Sequence, residues 1–126
     1  MTETSAQPGS VRVVIAEDSR IQAKILKKHL EDAGFQVRVA PDGVQALKMI
    51  QEDPPTIIVS DIEMPEMNGY ELCRTVKNDT KLRCIPLILL STLSKPEDIV
   101  EGLRSGADNY VTKPYNAAYL VSRIES

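Results

Sequence analysis

Apolar residues recur along this chain with two alternating periods, one typical of buried strands and one typical of amphipathic helices. Five short runs rich in apolar and β-branched residues have the composition of strands, and the first of them is almost wholly apolar, as expected of a strand that is covered on both faces. After each run, apolar residues return every three or four positions, which predicts a helix. The predicted strands are 11–16, 35–40, 56–60, 86–90 and 109–112, and the predicted helices are 19–33, 43–52, 69–79, 95–105 and 116–125.

Local sequence signals support the predicted starts of the first and fourth helices. Ser19 followed by Gln22, and Ser94 followed by Glu97, both have the spacing of a capping box.

Gly102 lies inside the fourth helix, where glycine costs about 1 kcal/mol relative to alanine, and we predict that it keeps this helix pliable. The predicted apolar stripe of the first helix consists of Ile21, Ile25, Leu26, Leu30 and Ala33.

The repeated order of strand and helix determines the expected fold class. Short links between alternating strands and helices favour a parallel sheet with helices on both faces. Five strands are too few for an eight-stranded barrel, so we predict an α/β, flavodoxin-like, doubly wound sheet of order 2-1-3-4-5. Such sheets bind ligands at the carboxyl ends of the strands, beside the point where the strand order reverses.

Length and composition fit one globular domain. A chain of 126 residues can bury its own core, and 42% hydrophobic with 26% charged residues is ordinary for such domains. Residues 1–10 are polar and rich in helix breakers, so we predict a flexible arm there and the domain over 11–126. The last helix is short beside the first, and we therefore expect the N-terminal part of a longer hybrid kinase or multidomain regulator.

Charge and cysteine content narrow the classes of partner. The net charge is -3 and the basic residues are scattered, so we expect no direct binding to nucleic acid. No apolar run approaches the roughly 20 residues of a membrane span, which predicts a domain without membrane contact. The two cysteines form no CxxC motif and are expected to stay reduced in the cytoplasm.

Polar side chains end four of the predicted strands. Glu17 and Asp18 follow the first strand, Asp61 the third, Ser91 the fourth and Lys113 the fifth. In the predicted sheet these side chains lie at one edge, where crowded carboxylates repel one another unless a cation neutralises them. Oxygen ligands favour Mg²⁺, while an amine and a hydroxyl suit a phosphoryl group. The pattern predicts phosphoryl transfer to Asp61.

These residues, in this order and spacing, resemble the receiver domains of two-component response regulators, including the chemotaxis response regulator. The resemblance implies a phosphoacceptor signalling switch rather than an enzyme, with Asp61 phosphorylated by a sensor histidine kinase or a histidine phosphotransfer protein. The resemblance also rests on Met64-Pro65, Gly69, Gly106-Ala107-Asp108, Tyr110 and Lys113-Pro114.

The resemblance assigns the metal ligands. Asp18 and Asp61 would bind Mg²⁺ directly, with the backbone carbonyl of Glu63 as a third ligand and Glu17 acting through water. Mn²⁺ would be able to replace Mg²⁺. The carboxylates and the carbonyl are the oxygen donors that these ions prefer.

The resemblance also assigns the switch. Ser91 and Lys113 would bind the phosphoryl oxygens, and Ser91 with Tyr110 would transmit the change to the surface of the fourth helix, fifth strand and fifth helix. That surface would contact an output domain or a partner protein, or form a phosphorylation-dependent homodimer. Glu63 and Leu93 would tune the lifetime of the phosphate, and the Lys113-Pro114 bond would be cis.

Two other functions share parts of this pattern. A phosphatase of the haloacid dehalogenase type also uses an aspartate nucleophile with Mg²⁺, but carries an Asp-x-Asp pair on its first strand. The first strand here ends on Glu17-Asp18 instead. A flavin-binding domain of this fold would need a phosphate loop in the same place, and the acidic pair would repel a phosphate there.

Overall fold

The computed structural model describes residues 11–126, in which five strands and five helices alternate. The strands are β1 (Arg12–Ala16), β2 (Gln36–Ala40), β3 (Ile57–Asp61), β4 (Leu87–Ser91) and β5 (Asn109–Thr112). The helices are α1 (Arg20–Asp32), α2 (Gly43–Glu52), α3 (Gly69–Lys77), α4 (Pro96–Arg104) and α5 (Ala117–Glu125). None of them is long and apolar enough to cross a membrane. The predicted elements are confirmed, and the predicted arm at 1–10 lies outside the described residues.

The sheet has the predicted topology. Its order is β2-β1-β3-β4-β5, and every neighbouring pair of strands is parallel. The strand order therefore reverses at β1, which lies between β2 and β3. Ala16 pairs with Ser60, and Asp61 pairs with Leu90, so β1, β3 and β4 end nearly level with one another. Residues that follow these strands are consequently close in space.

Two apolar clusters cover the two faces of the sheet. Successive side chains of a strand point to opposite faces. Val14 and Ala16 of β1 thus join one cluster with α2 and α3, whereas Val13 and Ile15 join the other with α1 and α5. This double coverage explains why the central strands β1, β3 and β4 are mostly apolar, whereas the edge strands β2 and β5 contain more polar residues.

The predicted apolar stripe of α1 is wrong at two positions. Leu26 and Leu30 are buried as predicted, together with Ala23, but Ile21 is 75% exposed and Ile25 is 50% exposed. The helix is rotated so that the side containing Ala23 faces the sheet. Ile21 and Ile25 therefore lie beside the buried stripe, on a surface next to the carboxyl edge of the sheet.

Neither of the two predicted capping boxes is formed. Ser19 caps α1, since its Oγ accepts a hydrogen bond from the backbone N–H of Gln22 at 3.2 Å, but the Gln22 side chain points elsewhere. The N-cap of α4 is Lys95, without a side-chain hydrogen bond, so the pairing of Ser94 with Glu97 was wrong. A proline in the first turn of α4 lacks an N–H that would need a cap.

Candidate functional site

The carboxyl edge of the sheet brings together the acids and the lysine that the sequence indicated. Carboxylate oxygens of Glu17, Asp18 and Asp61 lie within 4.8 Å of one another. The Nζ atom of Lys113 lies 3.1 Å from Glu17 Oε1 and 3.4 Å from Asp61 Oδ1. The Lys113-Pro114 peptide bond is cis, as the resemblance implied.

Glu17 is the most buried acid of this group, with 4% of its surface exposed. Its Oε2 accepts a hydrogen bond from the backbone N–H of Ser19, and its Oε1 accepts one from Lys113. Burial raises the pKa of Glu17 and the neighbouring Asp61 charge adds to this, while the two hydrogen bonds oppose the shift. The raised pKa means that the lysine alone does not fully compensate the buried charge.

Asp61 is held at the end of β3 by its own loop. Its side chain is 12% exposed, and Oδ1 accepts a hydrogen bond from the backbone N–H of Ile62 at 3.0 Å. A Cβ atom on Gly69 would lie 2.3 Å from the backbone oxygen of Asp61. Glycine is therefore required where the start of α3 packs against the backbone of this strand end.

The donor set fits a hard divalent cation. The cluster offers carboxylate oxygens only, and Asp18 is exposed while Asp61 is partly exposed. Mg²⁺ prefers oxygen ligands and keeps several of its waters, which such an open site allows. Repulsion between Glu17 and Asp61, which contributes to the raised pKa of Glu17, would also be relieved by a cation.

A chain of hydrogen bonds links Ser91 to Tyr110 through the backbone of Leu93. Ser91 is buried at the end of β4, and its Oγ accepts from the N–H of Leu93 at 2.9 Å. The Tyr110 hydroxyl donates to the carbonyl of Leu93 at 2.6 Å. Burial raises the pKa of Tyr110, so the hydroxyl keeps its proton for this bond. The side chains of Ser91 and Tyr110 are therefore bonded to the same backbone segment.

The ring of Tyr110 packs against α4 at Gly102. A Cβ atom there would lie 2.6 Å from Cδ2 of Tyr110 and 3.3 Å from Cδ1 of Leu89. The Tyr70 hydroxyl also donates to the carbonyl of Asp98, which joins α3 to the same helix. Glycine at position 102 thus makes room for the ring, while its predicted effect on the pliability of α4 remains a prediction.

One residue at this edge was missed as a candidate for function. The Oε1 atom of Gln22 accepts a hydrogen bond from Lys113 Nζ at 2.8 Å. The available signal was the position of Gln22 in the first turn of the helix that directly follows the acidic pair. Of the two residues expected to tune the phosphate lifetime, Glu63 is exposed and Leu93 is partly buried.

Comparison with known proteins agrees with this geometry. Residues 13–125 match the family described as the response regulator receiver domain. The chain belongs to this family. It is 36% identical to the response regulator PleD of Caulobacter vibrioides over 93% of the chain, and 37% identical to the transcriptional regulatory protein CseB of Streptomyces coelicolor over 90%. The receiver domain covers 26% of PleD and 47% of CseB, less than half of either protein.

Solved structures show the same fold. The signal receiver domain of a signal transduction histidine kinase from Syntrophus aciditrophicus is 43% identical, with a TM-score of 0.86 over 91% of this chain and 87% of that one. The chemotaxis protein CheY4 of Vibrio cholerae is 31% identical, with a TM-score of 0.85 over 91% of this chain and 96% of that one. The predicted flavodoxin-like receiver fold is confirmed.

Proposed function

We propose that this receiver domain is a phosphoacceptor switch of a two-component phosphorelay, with Asp61 as the phosphorylated residue. One observation carries the proposal. The partly exposed Asp61 carboxylate lies at a strand end, 3.4 Å from the Lys113 amine and within 4.8 Å of the carboxylates of Glu17 and Asp18. An accessible nucleophile beside a lysine and a candidate cation site is what phosphoryl transfer requires.

The ligands proposed for Mg²⁺ are the carboxylates of Asp18 and Asp61 and the backbone carbonyl of Glu63, with Glu17 acting through water. Mn²⁺ is expected to bind to the same ligands when it is supplied instead of Mg²⁺. The bound ion would neutralise charge on the carboxylate and on the phosphoryl oxygens. The carboxylate cluster and the raised pKa of Glu17 support this assignment.

In the proposed reaction, a carboxylate oxygen of Asp61 attacks the phosphorus atom of a phosphohistidine. The new O–P bond forms as the N–P bond breaks, and the donor imidazole leaves with the electron pair of that bond. Lys113 and Ser91 then donate hydrogen bonds to the phosphoryl oxygens. Water later hydrolyses the acyl phosphate, and Glu63 and Leu93 flank the path and tune that rate.

The proposed output is a change of the surface formed by α4, β5 and α5. If Ser91 turns to the phosphoryl group, the loop held by the Tyr110 hydroxyl must adjust, because both bond to the same backbone segment. Val100, Leu103 and Tyr119 expose apolar area on α4 and α5. Such area suits contact with an output domain, a partner protein or a second copy of this domain.

The proposed donor is a sensor histidine kinase or a histidine phosphotransfer protein, and the proposed compartment is the cytoplasm. Family membership supports both. We do not propose a phosphatase of the haloacid dehalogenase type, because β1 is followed by Glu17-Asp18 rather than an Asp-x-Asp pair.

The test is incubation with Mg²⁺ and a small acyl phosphate, followed by intact mass spectrometry. We expect one phosphoryl adduct in the wild type and none in Asp61→Ala or after addition of chelator. Asp53→Asn is the matched control, because Asp53 is an exposed aspartate that follows α2, away from the site, and this variant should still be labelled. A stable adduct that persists in Asp61→Ala would overturn the assignment.

A further inference from the structure

The loop between β3 and α3, residues 62–68, is closed at its base. The backbone N–H of Gly69, the first residue of α3, donates to the carbonyl of Ile62 at 2.8 Å. A Cβ atom on Gly69 would lie only 2.8 Å from Cα of Ile62, so the base is also closely packed. The loop above this base includes Glu63, whose backbone carbonyl is a proposed ligand of Mg²⁺. Because the base is fixed, a push on the loop must be absorbed by the residues above it.

The far end of this loop contains a strained turn. The N–H of Met67 donates to the carbonyl of Pro65 at 2.8 Å, which closes a turn of the γ type. Glu66, at the centre of this turn, has a φ of 71°, a left-handed conformation that is unfavourable for residues other than glycine. Such a conformation persists where the surrounding structure imposes it. Contacts with the rest of the fold must therefore hold the turn.

The start of α2 is the element that lies against this turn. Gly43, the first residue of α2, is buried, and a Cβ atom there would lie 2.8 Å from Cβ of Met67 and closer still to its backbone oxygen. The backbone of α2 therefore contacts the turn directly, at a position where no side chain can intervene. The Met67 side chain also packs against the apolar cluster that includes Ala46 and Ile50 of α2.

A side chain at position 43 would displace the loop rather than the helix. Ala46 and Ile50 of α2 are completely buried, so a movement of this helix would disrupt the core. Glu63, Pro65 and Glu66 of the loop are exposed, and a shift there disturbs few packed contacts. The displacement would therefore reach the segment that contains the carbonyl of Glu63.

We propose that Gly43 is a positioning residue for the metal site. In this proposal, the backbone at the start of α2 holds the turn at 65–67, and through it the carbonyl of Glu63, in the geometry that the ion requires. The inference rests on the proposed function, in which this carbonyl binds Mg²⁺. Because Mg²⁺ demands nearly ideal octahedral geometry at short ligand distances, a displaced carbonyl should weaken its binding.

The test is a titration with Mg²⁺ alone, in which the affinity is measured from the backbone amide NMR signals of residues 61–63. We expect about tenfold weaker binding for Gly43→Ala, since groups that position a metal ligand typically contribute a factor of about 10–100 to affinity. In the metal-free variant, the amide signals of residues 63–68 should already differ from those of the wild type, because the loop moves before any ion binds. The matched control is Ala46→Gly, which weakens the same helix without adding an atom beside the loop and should bind Mg²⁺ as the wild type does.

Phosphorylation by a small acyl phosphate distinguishes positioning of the ion from a general structural effect. For Gly43→Ala, the Mg²⁺ concentration that gives half the maximal rate should rise about tenfold, in step with the affinity. The maximal rate should remain close to that of the wild type, because excess Mg²⁺ compensates for the weaker binding. A lower maximal rate with an unchanged dependence on Mg²⁺ would overturn the inference.

A second variant changes the same contact from the side of the loop. Met67→Gly removes the packed side chain and adds backbone freedom to the turn, so Mg²⁺ should again bind more weakly. This variant decides the question if Gly43→Ala does not fold. Unchanged Mg²⁺ affinity in the folded variant, or an equal loss of affinity in Ala46→Gly, overturns the inference but leaves the proposed function intact. If the wild type does not bind Mg²⁺, the metal assignment of the proposed function fails, and the inference with it.

Discussion

Replacement of Gly102 by alanine tests how α4 and Tyr110 are coupled. In an exposed helix this change would stabilise the protein by about 1 kcal/mol, because alanine is the better helix former. Here the added Cβ would lie 2.6 Å from Cδ2 and 3.0 Å from Cε2 of Tyr110, closer than carbon atoms approach without repulsion. The ring or the helix must therefore move.

The expected sign follows from three contributions. Overpacking a well-packed site costs about 1–3 kcal/mol. Displacing the ring also breaks the bond from the Tyr110 hydroxyl to the Leu93 carbonyl, a further loss of about 1 kcal/mol. The helix-propensity gain of about 1 kcal/mol offsets only part of this sum. We expect Gly102→Ala to lower the free energy of unfolding by about 1–3 kcal/mol.

A double-mutant cycle with Tyr110 isolates the ring. In a Tyr110→Ala background the ring is absent, so Gly102→Ala should become neutral or stabilising by up to about 1 kcal/mol. Tyr110→Phe is the matched control, because it keeps the ring and removes only the hydroxyl. In that background Gly102→Ala should still destabilise the protein.

Urea denaturation followed by circular dichroism measures each free energy of unfolding. A stabilised Gly102→Ala variant in the wild-type background, or an effect that is the same with and without the Tyr110 ring, would contradict the proposed clash. The first result would mean that α4 relaxes around the added methyl group at no cost to the packing of Tyr110, and the second that the effect of the methyl group does not arise at the ring.

Two further predictions concern buried charges. Without divalent cations at neutral pH, Glu17→Gln should raise the free energy of unfolding, since burial raises the pKa of Glu17 and makes its charged form unfavourable in the folded state. This advantage should vanish as pH falls towards the ordinary value of 4.5, and an advantage that grew instead would contradict the assignment. Lys77→Met should lower the free energy of unfolding by about 1–3 kcal/mol, because the partly buried amine bonds to the Ile85 carbonyl and the Asp108 carboxylate at 2.8 Å each. Urea denaturation measures the free energy of unfolding for both variants. For Lys77→Met, an unchanged denaturation midpoint would show that water bonds to the carbonyl and the carboxylate as well as the amine does.

The elements and their order were predictable because strands and helices leave different periods in a sequence. The side of each helix that faces the sheet was less predictable. Ile21 and Ile25 have the spacing of a buried stripe but are exposed, because the rotation of α1 on the sheet places Ala23 at the contact instead. Two neighbouring stripes on one helix satisfy the same three- and four-residue spacing, and only packing against the sheet chooses between them.

The acidic pair, Asp61 and Lys113 were identifiable because each directly follows a strand, and parallel strands end at one edge. The fold class, the edge at which the site lies and the types of its main groups could therefore be predicted from the chain alone. These properties depend on local composition and on the order of elements along the chain.

Which side chains meet depends on how the helices and strands pack in three dimensions. Gln22 and Lys113 are 91 positions apart, yet their side chains lie 2.8 Å apart, because the turn of α1 and the end of β5 meet above the same sheet edge. Gly102 matters because Tyr110 rests on it. Contacts of this kind depend on helix rotation and strand register to within an ångström, and no periodic pattern of apolar residues contains that information.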